Sequence, residues 1–255
     1  GESVLKYGWP IGRAKETIEP GCWVHSHNME SQLEGLEHCR YEPQWNDLEQ
    51  KPPVCFDGYR RTDGKTGVRN ELWILPMVGC VNGLAKQLER LASSRLPAGI
   101  DGVFAFQHSC GCSQLGDDLR HTQKLLKGLL LHPNAGGVLA LCLGCENTRP
   151  EDMQALLGEY DRDRIQFLVC QECEDEIEEG LRILDRLGQY AASFHREPCP
   201  VSSLTVGLKC GGSDGLSGIT ANPLVGSFSD WLLSRGGSCV LTEGPDMFGA
   251  ERRVM

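Results

Sequence analysis

The sequence predicts an α/β protein: a Rossmann-like, mostly parallel sheet with helices on both faces, preceded by the tail of a small β domain. Three observations carry this. Apolar runs recur at Leu72–Val78, Val103–Gln107, Gly137–Cys142, Ile165–Cys170, Leu204–Leu208 and Ser238–Leu241. Segments with helical spacing alternate with them, at Leu84–Leu91, Leu119–Leu130, Met153–Leu157, Ile177–Leu187 and Leu224–Leu233. The repeat of roughly thirty residues is what strand–helix–strand crossovers need, and such units build parallel sheets covered on both sides. With 255 residues, 40% of them hydrophobic, the chain can bury a core of that size.

Residues 1–30 read as the end of the small β domain. Ile11–Ala14, a turn at Glu19-Pro20-Gly21 and a strand Cys22–His25 are hairpin-like. The segment His25-Ser26-His27-Asn28 alternates, so both imidazoles are expected on one face of an extended strand; such a pair either shares a metal or faces solvent. Residues 31–57 are polar, carry Pro43, Pro52 and Pro53, and read as a linker in which His38, Cys39 and Cys55 are incidental. The α/β domain is expected over 58–255. The ending Met247–Met255 reads as a helix cut short, and the chain opens on Gly1 rather than Met, so a fragment truncated at its C-terminus is expected.

A formal net charge of -10 without a long basic run argues against nucleic acid and anionic membrane surfaces as partners. A local pocket can still oppose that sign and take a small anion. No apolar stretch approaches the roughly 20 residues of a membrane span, and there is no signal-like start. Thirteen cysteines, an odd number spread over an enzyme-like chain, read as reduced thiols of the cytoplasm with metal or catalytic uses.

The chemistry collects where strands hand over to helices, the edge of a parallel sheet where ligands bind. Gly79-Cys80-Val81-Asn82 follows the first run, and His108-Ser109-Cys110-Gly111-Cys112-Ser113-Gln114-Leu115-Gly116-Asp117-Asp118 the second. Gly144-Cys145-Glu146-Asn147 follows the third, Cys170-Gln171 the fourth, Cys210-Gly211-Gly212-Ser213-Asp214 the fifth and Thr242-Glu243 the sixth. A cysteine at one corner is most simply a small buried hydrophobe. Thiols at five successive corners, mostly beside glycine, suggest ligands for Fe or Zn. The glycine-rich turn 211–218 opens a helix near Ser217–Thr220 and suits a carboxylate, since it lacks the lysine of a P-loop and the dinucleotide fingerprint. Arg60, Arg61 and Arg69 surround a turn before the first strand, which serves either as a carboxylate clamp or as a solvated hairpin.

Several long motifs resemble the altronate/galactarate dehydratase family: Lys6-Tyr7-Gly8, Val24-His25-x-His27-Asn28, Gly67-Val68-Arg69-Asn70-Glu71-Leu72-Trp73, Gly111-Cys112-Ser113-Gln114-Leu115-Gly116-Asp117-Asp118, Leu143-Gly144-Cys145-Glu146-Asn147 and Cys210 through Pro223. The Val68–Trp73 block and His132-Pro133-Asn134-Ala135-Gly136 favour the altronate branch. Cys110 departs from the pattern, which has Tyr or Gly there. Family members are longer, so the resemblance implies a SAF (β-clip) domain reaching back before residue 1 and a further domain after residue 255. It also implies dehydration of D-altronate to 2-dehydro-3-deoxy-D-gluconate by a divalent metal, Fe(II) or Mn(II), that stabilises an enediolate. The metal is expected between the His25/His27 strand and the sheet rim, drawing on His25, His27, Cys80, Cys112, Cys145, Asp117 and Asp118. His108 is expected as base, Glu146 or Glu243 as acid, and Arg69, Asn70, Gln114, Gly211, Gly212, Ser213 and Asp214 as substrate contacts. Two other readings stand beside this one. In one, the thiols hold an iron–sulfur cluster in a galactarate or related dehydratase; in the other, a non-catalytic fragment binds sugar acids. The partner is a small-molecule sugar acid, with a homo-oligomer also expected.

Overall fold

A computed structural model describes residues 1–6, 8–31, 42, 47–209, 211 and 216–242. The chain falls into two compact units, one of residues 1–54 with 204–255 and one of residues 55–203.

In the first unit, β1 (Ser3–Lys6), β2 (Trp9–Ala14) and β3 (Met29–Ser31) form an antiparallel sheet in that order. A turn in which the Cys22 amide donates to the Glu19 carbonyl returns the chain after β2.

The second unit begins with β4 (Cys55–Arg60), so the strand starts inside the stretch read as linker. It hairpins to β5 (Thr66–Gly67) through Gly64, whose φ of 81° needs a residue without Cβ. Then come β6 (Glu71–Pro76), α1 (Asn82–Ala92), β7 (Gly102–Ala105), α2 (Gly116–Leu130), β8 (Ala135–Cys142), α3 (Pro150–Leu157), β9 (Ile165–Val169), α4 (Glu176–Ala192) and β10 (Glu197–Pro200). Strand β10 pairs antiparallel with β4. Back in the first unit follow β11 (Thr205–Leu208), α5 (Ala221–Leu233) and β12 (Ser238–Leu241).

Strands β6 to β9 make one parallel sheet in the order β7-β6-β8-β9. The fold class is therefore as expected, a parallel α/β sheet with helices on both faces. Its extent differs: the last two runs, β11 and β12, pair with each other in a two-stranded parallel sheet. The six strand ends thus divide between two sheets.

The core of the second unit follows from strand alternation. Leu72 and Ile74 of β6 and Leu139 and Leu141 of β8 pack on one face against Ala85 and Leu88 of α1 and Ile183, Leu184 and Leu187 of α4. Their neighbours Trp73, Leu75, Val138 and Ala140 pack on the other face against Leu126 and Leu130 of α2 and Met153 and Leu157 of α3. All of β8 is buried, which is why it reads as an unbroken apolar run. Two glycines let it pass: a Cβ at Gly136 would lie 2.3 Å from Asn70 Oδ1, and one at Gly137 would lie 2.9 Å from Leu187 Cβ. Asp175 starts α4 by accepting from the amides of Ile177 and Glu178, and Glu176, Glu178 and Glu179 suit the positive end of the helix. No helix among the described residues is long and apolar enough to cross a membrane.

Candidate active site

The strand order β7-β6-β8-β9 puts the reversal of winding between β6 and β8, and a doubly wound sheet opens its ligand crevice there, beyond the carboxyl ends of the strands. Three loops meet at that rim. After β6 the chain makes a 3-10 turn, Gly79–Val81, that presents Cys80 and leads into α1. After β7 comes the long loop 106–115, and after β8 the loop 143–149.

Backbone contacts fasten the first two loops together. The Gly79 amide donates to the Cys110 carbonyl at 2.8 Å. Gly111 has φ 130°, and a Cβ there would lie 2.7 Å from Val78 Cγ2, so only glycine permits this approach. The Asn82 side chain at the start of α1 holds His108 at both ends: Oδ1 accepts from the His108 amide at 3.0 Å and Nδ2 donates to its carbonyl at 2.9 Å. The third loop is tied in by Asn147, whose Oδ1 accepts from the Ser113 amide at 2.9 Å. Ser113 takes a left-handed φ of 65°, a strained setting of a kind that gathers at functional sites.

These ties bring three of the expected thiols together. The Cys112 thiol lies in the field of Cys80, Cys145 and Glu146. Desolvation by the loops, the two neighbouring thiols and the carboxylate hold its proton on sulfur above the ordinary thiol range. Cys80, Cys112 and Cys145 are all exposed. Cys170, after β9, is half-buried, and burial with the nearby Cys173 raises it to about 11. Among the described residues no three His, Cys, Asp or Glu side chains stand as a preformed metal site. The donors fit iron in kind, without a closed coordination shell.

His108 lies half-buried on the loop after β7. Its Nδ1 accepts from the Cys110 amide at 3.0 Å, which leaves the proton of the neutral ring on Nε2. That nitrogen is then a donor. Glu146 is 3% exposed, and its two oxygens accept from the Leu143 amide at 3.1 Å and the Gly144 amide at 2.6 Å. It shapes its own loop and presses on Cys142, whose thiol burial and the carboxylate push far up. Gln114 lies on the rim loop, with Nε2 donating to Thr122 Oγ1 at 2.9 Å and Oε1 buried without a partner. Asp117 and Asp118 stand exposed in the first turn of α2, where Asp117 pairs with Arg120.

Other expected residues are placed elsewhere. Arg69 and Asn70 precede β6 and lie at the amino end of the sheet, the opposite edge from the thiols. Arg69 is bound by Glu71 at 3.0 Å and Asp101 at 3.7 Å. Asn70 is fully buried: its Oδ1 accepts from Arg61 Nη1 at 2.9 Å, and its Nδ2 donates to the carbonyls of Gly99 and Ala191. The segment 25–28 is a turn rather than an extended strand, because Asn28 Oδ1 accepts from the His25 amide and Nδ2 donates to the Trp23 carbonyl. His25 and His27 nevertheless share one side, packed on Trp23 with ring centroids 4.6 and 5.7 Å away. They belong to the first unit, as does Gly211. Cys210, Gly212, Ser213, Asp214 and Glu243, with His38 and Cys39 of the linker, lie outside the described residues.

One residue that the strand-end motifs did not single out does reach the rim. Gly144, Cys145, Glu146, Asn147 and Arg149 line a cleft of about 400 Å³, within the range of small-molecule sites. Its signal in the sequence was adjacency, since Arg149 follows the Gly144–Asn147 corner directly.

Comparison with known proteins covers almost the whole chain. Residues 1–32 match the altronate/galactarate dehydratase SAF domain, residues 58–192 the second domain of D-galactarate dehydratase/altronate hydrolase, and residues 201–255 the C-terminal domain of D-galactarate/altronate dehydratase. Altronate dehydratase of Escherichia coli (strain K12) is 49% identical over 100% of this chain and 52% of its own length. Altronate dehydratase of Bacillus subtilis (strain 168) is 47% identical over the same shares. Galactarate dehydratase (L-threo-forming) of E. coli is 32% identical over 94% of the chain and 49% of its own length. The chain therefore spans about half the length of these relatives.

Proposed function

This chain belongs to the altronate/galactarate dehydratase family, and we propose that it is part of a hydro-lyase that dehydrates a sugar acid, D-altronate to 2-dehydro-3-deoxy-D-gluconate and water. The observation that supports the reading is the proximity of Cys80, Cys112 and Cys145 on the loops beyond the carboxyl ends of β6, β7 and β8. The identity to altronate dehydratases over the full chain supports a sugar acid as the substrate class.

The reaction removes the proton on C2, α to the carboxylate, and expels the C3 hydroxyl as water. The enol left behind tautomerises to the 2-keto acid. Atoms balance without oxidant or reductant. The C2 proton is only weakly acidic, so the charge that develops on the carboxylate oxygens must be stabilised. Iron held by Cys80, Cys112 and Cys145 would supply that stabilisation as a Lewis acid. Three thiolates favour the iron–sulfur form of the cofactor over a lone Fe(II) or Mn(II), and this observation keeps the iron–sulfur reading alongside the simpler one. His25 and His27 are the matching candidates for a lone divalent ion.

The His108 Nδ1 takes the Cys110 amide, which leaves the Nε2 hydrogen of the neutral ring to donate. We assign it the hydrogen bond to the departing C3 hydroxyl rather than the role of base. Glu146 is a positioning residue that fixes the loop carrying Cys145. Glu243 keeps its place as a proton-transferring candidate.

The test is iron and sulfide analysis of the full-length protein purified without air, followed by an assay for 2-keto acid from D-altronate. Iron with acid-labile sulfide and altronate-dependent 2-keto acid support the reading. Metal-free protein with full turnover removes the metal, and metal-loaded protein with no turnover of altronate or galactarate removes the hydro-lyase.

A further inference from the structure

We propose that Arg149 is the carboxylate anchor of the substrate, with the Asn147 amide beside it, so that the acid end of a sugar acid docks in the cleft after β8. The inference rests on the sugar-acid reading above and assigns a residue that reading lacked.

A sugar acid brings a carboxylate to a chain whose formal net charge is -10, so the site needs a local cation. Arg69 lies at the wrong end of the sheet and is held by two acids. Of the basic side chains toward the carboxyl-end rim, Lys86 of α1 is bound to Glu89 at 2.6 Å and Arg120 of α2 pairs with Asp117. Arg149 is exposed and lines the cleft; its carbonyl accepts from the Met153 amide at 3.1 Å, and its guanidinium has no ion pair or hydrogen bond among the described residues.

Its backbone is prepared for the task. Arg149 has φ -65° and ψ 150°, and Pro150 follows at the first position of α3. A residue before proline is kept extended, so the stem of this arginine starts from a fixed direction. Glu146 is buried and gives both oxygens to backbone amides, and neither it nor Glu151 or Asp152 of the first turn of α3 forms an ion pair with Arg149 among the described residues. Asn147 has its Oδ1 fixed by the Ser113 amide, which turns its NH2 group away from that bond and leaves it to donate. A guanidinium fork and an amide donor together match the planar carboxylate. Cys145 lines the same cleft, so an acid anchored there has its reacting end held at the thiol-bearing corner. The carboxylate is common to every substrate of such an enzyme. This cleft accordingly sets the class of substrate, and hydroxyl stereochemistry is read elsewhere.

The experiment uses the full-length protein with Arg149→Met, Arg149→Lys and, as a remote control, Arg162→Met. Steady-state kinetics with D-altronate are run beside calorimetric binding of D-altronate and of the matching alditol, which lacks the acid. Arg149→Met is expected to raise KM by about 10- to 100-fold with kcat changed far less. Arg149→Lys and added guanidinium ion should each recover part of the loss, and alditol binding should not change. Normal KM and normal altronate affinity in Arg149→Met would overturn the anchor while leaving the hydro-lyase intact. Wild-type protein that binds altronate no better than the alditol would overturn both. Circular dichroism and the lysine variant separate a binding loss from a folding loss.

Discussion

Asn82 decides what His108 can do. Its side-chain amide closes two hydrogen bonds on the backbone of that one residue, and the Cys110 amide then fixes the ring. Asn82→Ala leaves the histidine in place chemically but removes its holder. We expect kcat to fall by about 10- to 100-fold with KM nearly unchanged, the pattern of a lost orientation effect; an equal loss in KM would show that the contact serves binding instead. Thiol protonation gives a second prediction. Cys142 is fully buried and Cys170 is raised to about 11, so both stay protonated in the fold when an unfolded thiol would ionise. Stability is therefore complete below the ordinary thiol value near 9 and falls as pH climbs past it. Thermal unfolding from pH 7 to 11 should show this decline, and Cys142→Ala should flatten it while lowering the plateau through the cavity it leaves.

At the scale of elements, the site depends on how closely the loop after β7 can lie on the turn after β6. Gly111→Ala would push a methyl into Val78 at a φ that alanine avoids. The expected cost is about 1–3 kcal/mol, with Cys112 withdrawn from Cys80. A short dithiol-reactive crosslinker should bridge the two in the parent protein and fail in the variant; equal crosslinking would mean that the loops do not need this glycine. Sequence patterns exposed much of this geometry. Strand β8 was legible because every residue in it is apolar or glycine, and the thiols of Cys80, Cys112 and Cys145 were legible as neighbours because parallel topology brings strand ends together. The turn at 25–28 was hidden, since Asn28 closes it by side-chain hydrogen bonds that leave no mark in hydrophobic periodicity. Arg69 was legible as a carboxylate-binding candidate, but it precedes its strand, and parallel topology sends such a residue to the amino edge, away from the thiols. Pairing of β11 with β12 alone was not legible, because the same apolar runs suit either one sheet or two.

Across the second unit as a whole, the amino edge of the sheet carries a buried polar network, and the carboxyl edge carries the proposed site. Arg61 and Arg164, both buried, spend their guanidinium hydrogens largely on backbone carbonyls: Arg61 on those of Pro133 and Arg69, Arg164 on those of Ala135 and His132. Burial and mutual repulsion lower Arg61 to about 10. Asn70 joins this network to the 99 loop and the end of α4. Asn70→Ala should cost about 3 kcal/mol or more by stranding buried polar groups, and turnover per folded molecule should be kept. A variant of normal stability with lost turnover would return Asn70 to the substrate site.

The glycine pair in β8 has an evolutionary corollary. With Asn70 Oδ1 and Leu187 Cβ pressed against the places where side chains would begin, the middle of the sheet offers no foothold for gradual change. Variation in this strand is therefore held to glycine at both places, while connections such as those beyond the strand tips tolerate more change.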